Sequence, residues 1–188
     1  MPRNGDEARR RLQQAALELF AEQGFDQTPV EAIAARAGVT ERTFYRHFAD
    51  KREMLFDGEG ELRDQLVQAL AAVPDGTKPM PALLAAFHQT VPLFESNRPF
   101  TEPGARLIAR TPALQERSLA KQALLVRALT AALQDRGVNA RTALLCAQAA
   151  MGTFAIATHR WMDDPSVTLH NHLDQAFREL RLATAALK

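Results

Sequence analysis

The sequence predicts an all-α protein of about nine helices, and three observations predict it. Alanine and leucine occur 34 and 24 times against eight valines and three isoleucines, so good helix formers swamp the β-branched residues that favour sheet. Apolar residues recur at i, i+3, i+4 and i+7 through most of the chain, the period of a helix that buries one face. Between these segments stand short stretches with Gly, Pro or a capping Thr, Asn or Asp, which stop one helix and start the next. With 188 residues, 46% of them hydrophobic and 24% charged, the chain can bury a real core and has the length of one domain or two small ones.

Leu12, Ala15, Ala16, Leu19 and Phe20 define a first helix running from Ala8 to Gln23, and Gly24 can take the left-handed conformation that ends it. Thr28-Pro29-Val30-Glu31 combines a capping Thr, a Pro at the first helical position and a Glu that can return a bond to the cap, opening a second helix over 29–37. Gly38 suits a tight turn, and Thr40 can cap a third helix carrying Phe44 and Phe48 one turn apart. Asp50-Lys51-Arg52-Glu53 is a further capping signature, opening a fourth helix on Met54, Leu55, Leu62, Leu66 and Leu70. Gly58 and Gly60 fall within that helix and mark either a hinge or a plain break.

The second and third helices, joined by a four-residue turn around a glycine, form a helix-turn-helix within residues 1–52. On the third helix Phe44 and Phe48 point inward, Arg42 and Arg46 point the opposite way, and Thr43 and Tyr45 flank them. Such a face suits DNA. Arg bonds bidentately to guanine O6 and N7 in the major groove, so Arg42 and Arg46 are the candidates for base reading. Thr28, Thr43, Tyr45, His47 and Lys51 are candidates for anchoring to phosphates, which fixes the register. The net charge of +1 hides this pattern, because residues 1–52 and 53–188 are each nearly balanced. Position carries the signal: Arg3, Arg9, Arg10 and Arg11 form one basic segment, and Arg36, Arg42, Arg46, Lys51 and Arg52 a second.

The segment AALELFAEQGFDQTPVEAIAARAGVTERTFYRHFADKREML, residues 15–55, closely resembles the N-terminal domain of TetR-type transcriptional repressors. It carries LFAEQGF, T-P-V-E-x-I-A, A-G-V-T, T-F-Y-x-H-F and D-K-R-E in that order. The resemblance implies DNA contacts from Thr28, Thr43, Tyr45, Arg46, His47 and Lys51, with the N-terminal arginines available as a minor-groove arm. Glu41 departs from the small or basic residue often seen at its position. The resemblance also implies a C-terminal helical domain, here 53–188, that forms a homodimer and binds a small effector.

Read from the residues alone, that second region supports several more helices. Leu83, Leu84, Phe87, Val91 and Phe94 form one stripe, which Pro92 bends or shortens. Thr111-Pro112 can start the next, which stops at Gly137; Asn139 can cap a helix to Asp163; Leu169, Leu173, Ala176, Phe177 and Leu180 mark the last. The last two, long and rich in Ala and Leu, can dock on a symmetry mate as a four-helix bundle. A homodimer would set two reading helices ~34–36 Å apart on a palindromic operator of double-stranded DNA.

Phe87, Phe94, Phe100, Cys146, Phe154, Thr158 and His159 could line an apolar effector pocket, although aromatics at helical spacing are more often plain core. LLAAFHQTVPLFESNRPF and ARLIARTPALQER are similar to the effector domain of the mycofactocin-regulator-like subgroup. That similarity implies acyl-CoA or fatty-acid ligands, whose anionic group Arg106 could meet.

Enzymes and protein-binding helical modules are the rival classes. The chain has no G-x-G-x-x-G, G-x-x-x-x-G-K, G-x-S-x-G or H-E-x-x-H, so no enzyme is expected and no cofactor. No metal is expected either, since His170 and His172, two residues apart, face different ways. Cys146 is the sole cysteine; it excludes an intrachain disulfide, suits a reducing compartment and reads as a small buried apolar residue. No apolar run reaches the ~18 residues of a membrane span, so a cytoplasmic protein without membrane contact is expected.

Overall fold

The computed structural model describes residues 3–185, less the side chains of Arg3, Asn4 and Glu59. They form eight α-helices, α1 Arg3–Gln23, α2 Val30–Arg36, α3 Glu41–His47, α4 Glu59–Ala72, α5 Pro79–Arg110, α6 Pro112–Asp135, α7 Ala140–Asp163 and α8 Leu169–Ala185, plus one 3₁₀ turn at Glu53–Phe56. No strand occurs among the described residues.

The chain divides into two compact units, one made of 1–58 with 97–119 and the other of 59–96 with 120–188. Residues 97–119, which the sequence reading groups with the second domain, thus pack with the N-terminal helices.

In the first unit, Leu12, Ala16, Phe20, Ile33, Phe44 and Phe48 are buried together with Met54 and with Leu114 of α6. Phe44 is fully buried and Phe48 nearly so, which fixes the inner face of α3 as its spacing predicts. The turn into α3 is built locally. Gly38 takes φ +66, the amides of Gly38 and Val39 donate to Ala35 O and Ala34 O, and Thr40 Oγ1 accepts from the Thr43 amide at 3.2 Å.

Four expectations fail here. α1 begins at Arg3 and not at Ala8, so the segment ahead of Ala8 is helical and forms no extended arm; the Arg3 side chain lies outside the described residues. Thr28 does not cap α2. Its buried hydroxyl donates to Gly24 O at 2.7 Å, satisfying a carbonyl that the end of α1 leaves open, and Pro29 occupies the cap position. Asp50 opens the short 3₁₀ turn, accepting from the amides of Arg52 at 2.7 Å and Glu53 at 3.2 Å, and the turn does not run on into α4. Gly58, at φ +86, separates the two, so only Gly60 lies within α4.

The second unit buries Leu66 and Leu70 of α4, Leu83, Phe87 and Val91 of α5, Leu129 and Leu133 of α6, Ala147, Phe154 and Trp161 of α7, and Leu169 and Leu173 of α8. Arg136 completes the end of α4, donating to Leu70 O at 3.0 Å, Val73 O at 2.7 Å and Pro74 O at 2.9 Å. Asn139 caps α7 through the Thr142 amide at 3.0 Å, as its sequence predicts. Two expectations change. α5 runs unbroken through Pro92, Pro99 and Pro103. Each proline forfeits one helical bond, and the buried Leu83, Ala86, Phe87, Thr90 and Val91 hold the helix through the first of them. Within α7 an 18-residue window reaches a mean hydropathy of 1.2, long and apolar enough to cross a membrane by length and composition. The periodicity explains it: Ala143, Ala147, Ala150, Phe154, Ala157 and Trp161 turn that apolarity into the core of the unit.

Candidate nucleic-acid interface

The helix-turn-helix presents α3 with its apolar face inward and its polar face outward. Arg42 and Arg46 are exposed on that outer face, and Tyr45 is 56% exposed with its ring edge-on to Phe44 at 5.2 Å. Thr43 is half-buried, its hydroxyl 3.1 Å from that of Thr40. Glu41 stands exposed in the first turn, where it favours the helix dipole and opposes phosphate.

The five cations of the second basic segment separate by what they already hold. Arg36 is tied to Glu22 at 2.9 Å and Glu18 at 3.4 Å, and the bond to Glu22 raises its pKa. Arg52 is tied to Asp50 at 2.7 Å. Burial pushes the Asp50 carboxyl up, but bonds from the Arg52 side chain and two amides more than offset it, so the net shift is downward. Lys51 Nζ donates to Phe25 O at 2.7 Å and Thr28 O at 3.0 Å, and burial lowers its pKa. Among the described residues Arg42 and Arg46 form no ion pair, so theirs are the charges of this segment left for an outside anion.

Thr28 and Lys51 therefore sit apart from the outward group of Arg42, Thr43, Tyr45 and Arg46. His47 lies between the two sets. Its ring is half-buried near Gly5 of α1, Nε2 is buried without a hydrogen-bond partner, and burial first, then the charges of Arg46 and Arg9, hold its pKa below the usual histidine value. These surroundings favour the uncharged imidazole.

Residues proposed for an effector scatter more widely. Phe87 stacks on Phe154 at 4.5 Å and Phe94 meets Phe154 edge-on at 5.2 Å, an aromatic core. The Thr158 hydroxyl donates to Phe154 O at 3.0 Å. His159 points to solvent beside Asp163, Arg106 is exposed and bonded to Glu102 at 2.7 Å, and Phe100 belongs to the segment of α5 in the first unit. Cys146 is half-buried rather than buried, and burial raises its thiol pKa. It lines a groove of about 700 Å³ with Met80, Leu84, Leu145 and Phe177, and with Arg178 and Arg181, a site that sequence spacing does not reveal because three helices contribute to it.

Comparison with known proteins bears on this geometry. Residues 12–57 match the family model described as bacterial regulatory proteins, tetR family, and residues 77–185 match the MftR C-terminal domain. The transcriptional regulator TcmR of Streptomyces glaucescens is 36% identical over 112 residues, covering 56% of this chain and 50% of its own length, so the chain spans half of that relative. MftR of Mycobacterium tuberculosis, described as a mycofactocin biosynthesis transcriptional regulator, is 28% identical over 94% of both chains. The crystal structure of Thermus thermophilus FadR, described as a repressor in complex with lauroyl-CoA, superposes with a TM-score of 0.57 at 22% identity, over 92% of each chain, a likeness of fold.

Proposed function

The chain belongs to the tetR family of bacterial regulatory proteins, and from that premise we propose that it is a cytoplasmic, ligand-responsive repressor that binds a palindromic operator as a homodimer. The observation that carries the reading is the sorting of charge on the helix-turn-helix. Arg36, Lys51 and Arg52 are engaged within the protein, whereas Arg42 and Arg46 face outward on one helix beside Tyr45 and Thr43. Arg42 and Arg46 read bases; Thr43 and Tyr45 meet phosphates.

The dimer reading is supported by a face of α7 where Leu145, Ala149, Gly152 and Ile156 are exposed at spacings of four, three and four. Leu145 and Ile156 are 66% and 52% exposed, and Leu182 of α8 is 68% exposed. Two copies joined through α7 and α8 would bury these side chains.

The effector reading rests on the groove that Cys146 lines, whose size lies in the range of small-molecule sites and which, sharing Leu145 and Ala149 with the dimer face, would lie at the junction of the two copies. Its apolar walls suit a hydrophobic effector. Arg178 and Arg181, which line it and outnumber the one acid there, Asp174, extend that to an acyl-CoA or fatty acid, and binding would release the operator by favouring a state unsuited to DNA.

Selection of bound duplexes from a random pool tests the central claim. An enriched inverted repeat with half-sites one helical turn apart is expected; a pool that stays random overturns it. Gly152→Arg tests the dimer, since a Cβ added there meets nothing within 4 Å in the single chain and the exposed position leaves the arginine room to reach solvent. Sedimentation should then show a monomer for the variant and a dimer for the parent. Lauroyl-CoA and laurate, titrated into the complex, should release the DNA.

A further inference from the structure

Asp57 carries the wrong charge for a residue beside a DNA-reading helix, yet it is held from two positions on α1. Arg9 meets its carboxylate through both Nε and Nη2, and Gln13 Nε2 donates to it at 2.9 Å. The Asp57 side chain is only 16% exposed. The same Arg9 guanidinium lies 5.4 Å from the ring of Phe48, the residue that ends α3, and Phe48 packs on the buried Phe44 at 5.8 Å. A line of contacts therefore runs from the acid, through Arg9, to the inner face of the helix that presents Arg42, Tyr45 and Arg46.

We infer that Asp57 is a positioning residue for DNA recognition, acting through Arg9 to hold the C-terminal end of α3 in its reading register. Charge alone makes the opposite claim. An exposed or half-buried carboxylate within a Debye length of phosphate repels it, so neutralising that acid should tighten binding to any duplex. The fork geometry argues otherwise: a bidentate Arg–carboxylate pair that also stacks on an aromatic ring fixes the guanidinium in one orientation, which a neutral or singly bonded partner does not. Phe48 then loses the lid that sets where α3 ends.

The inference rests on the DNA-binding reading, and one experiment separates the two. Wild type, Asp57→Asn, Arg9→Lys, Arg9→Gln and the Arg9→Gln/Asp57→Asn double variant are titrated, as full-length protein, with a duplex selected by the wild type and with a scrambled duplex of equal length, across a salt series. Asp57→Asn should weaken binding to the selected duplex about tenfold, leave the scrambled duplex within about twofold and leave the salt slope unchanged. Arg9→Lys keeps the charge but not the fork, and should behave alike if Asp57→Asn does not fold. The double variant should bind the selected duplex no more weakly than Arg9→Gln alone. Equal or tighter binding of both duplexes by Asp57→Asn, or undiminished binding by Arg9→Lys, overturns the inference and leaves the DNA reading intact. If the wild type selects no duplex, both fall.

Discussion

Lys51 is bonded to Phe25: its Nζ donates to the Phe25 carbonyl oxygen at 2.7 Å and lies 4.5 Å from the centre of the Phe25 ring. With a further bond to Thr28 O at 3.0 Å, the ammonium ties down the loop between α1 and α2. Lys51→Gln should therefore act on stability, at about 1–3 kcal/mol, the usual cost of leaving acceptors of a charged donor unmet. Chemical denaturation measures that loss. The salt slope of DNA binding should stay the same; a phosphate contact at Lys51 would lower it by about 0.9.

Arg42 and Arg46 should behave in the opposite way. Both are exposed and neither is paired among the described residues, so alanine at either removes nothing the fold uses. Arg42→Ala and Arg46→Ala should each cost about 1–3 kcal/mol of binding to the selected duplex and relax preference at one base position, with unfolding free energy unchanged within about 0.5 kcal/mol. Mobility shifts on single-base variants of the duplex would show both effects. Binding that survives the two changes together would remove α3 from the interface.

His47 gives the protein a signed response to acid. Burial, then Arg46 and Arg9, depress its pKa in the folded state. The unfolded chain therefore takes up the proton first as pH falls through about 6.5, the ordinary histidine value, and ΔG of unfolding declines below that pH. Above it the ring is neutral in both states and adds nothing to the pH dependence. Urea unfolding at pH 7, 6 and 5 should show wild type losing more stability on acidification than His47→Gln. Parallel losses would mean that the ring is not held neutral by its surroundings.

The parts legible in the sequence were those whose cause is local. Phe44 and Phe48 announce the inner face of α3 by their spacing, and Thr40 and Asn139 announce caps because their partner amides lie three residues on. The Thr28 cap failed and the bonds of Lys51 stayed hidden because their partners are backbone carbonyls, which every residue carries and no sequence pattern marks. The Arg9–Asp57 pair was equally hidden, since its members stand 48 positions apart and each resembles an ordinary surface charge. The unbroken α5 shows tertiary packing outweighing proline chemistry, a contest that local propensity does not contain. The groove at Cys146 needs α5, α7 and α8 assembled before it exists.

Gly58 and Gly60 look like one flexible pair in the sequence, but the structure gives them opposite stability signs. Gly58 sits at φ +86, a left-handed conformation that costs an L-residue roughly 1–2 kcal/mol, so Gly58→Ala should destabilise even though its side chain would meet nothing within 4 Å. Gly60 lies in the first turn of α4 with equally open space and no positive φ. Gly60→Ala should stabilise by up to about 1 kcal/mol, the helix propensity difference, less what the first turn discounts. Thermal unfolding of the two single variants decides the matter. A joint that works through the positive φ of Gly58 also predicts altered operator release by effector in Gly58→Ala and none in Gly60→Ala, so equal responses from the two would assign the glycines no such role.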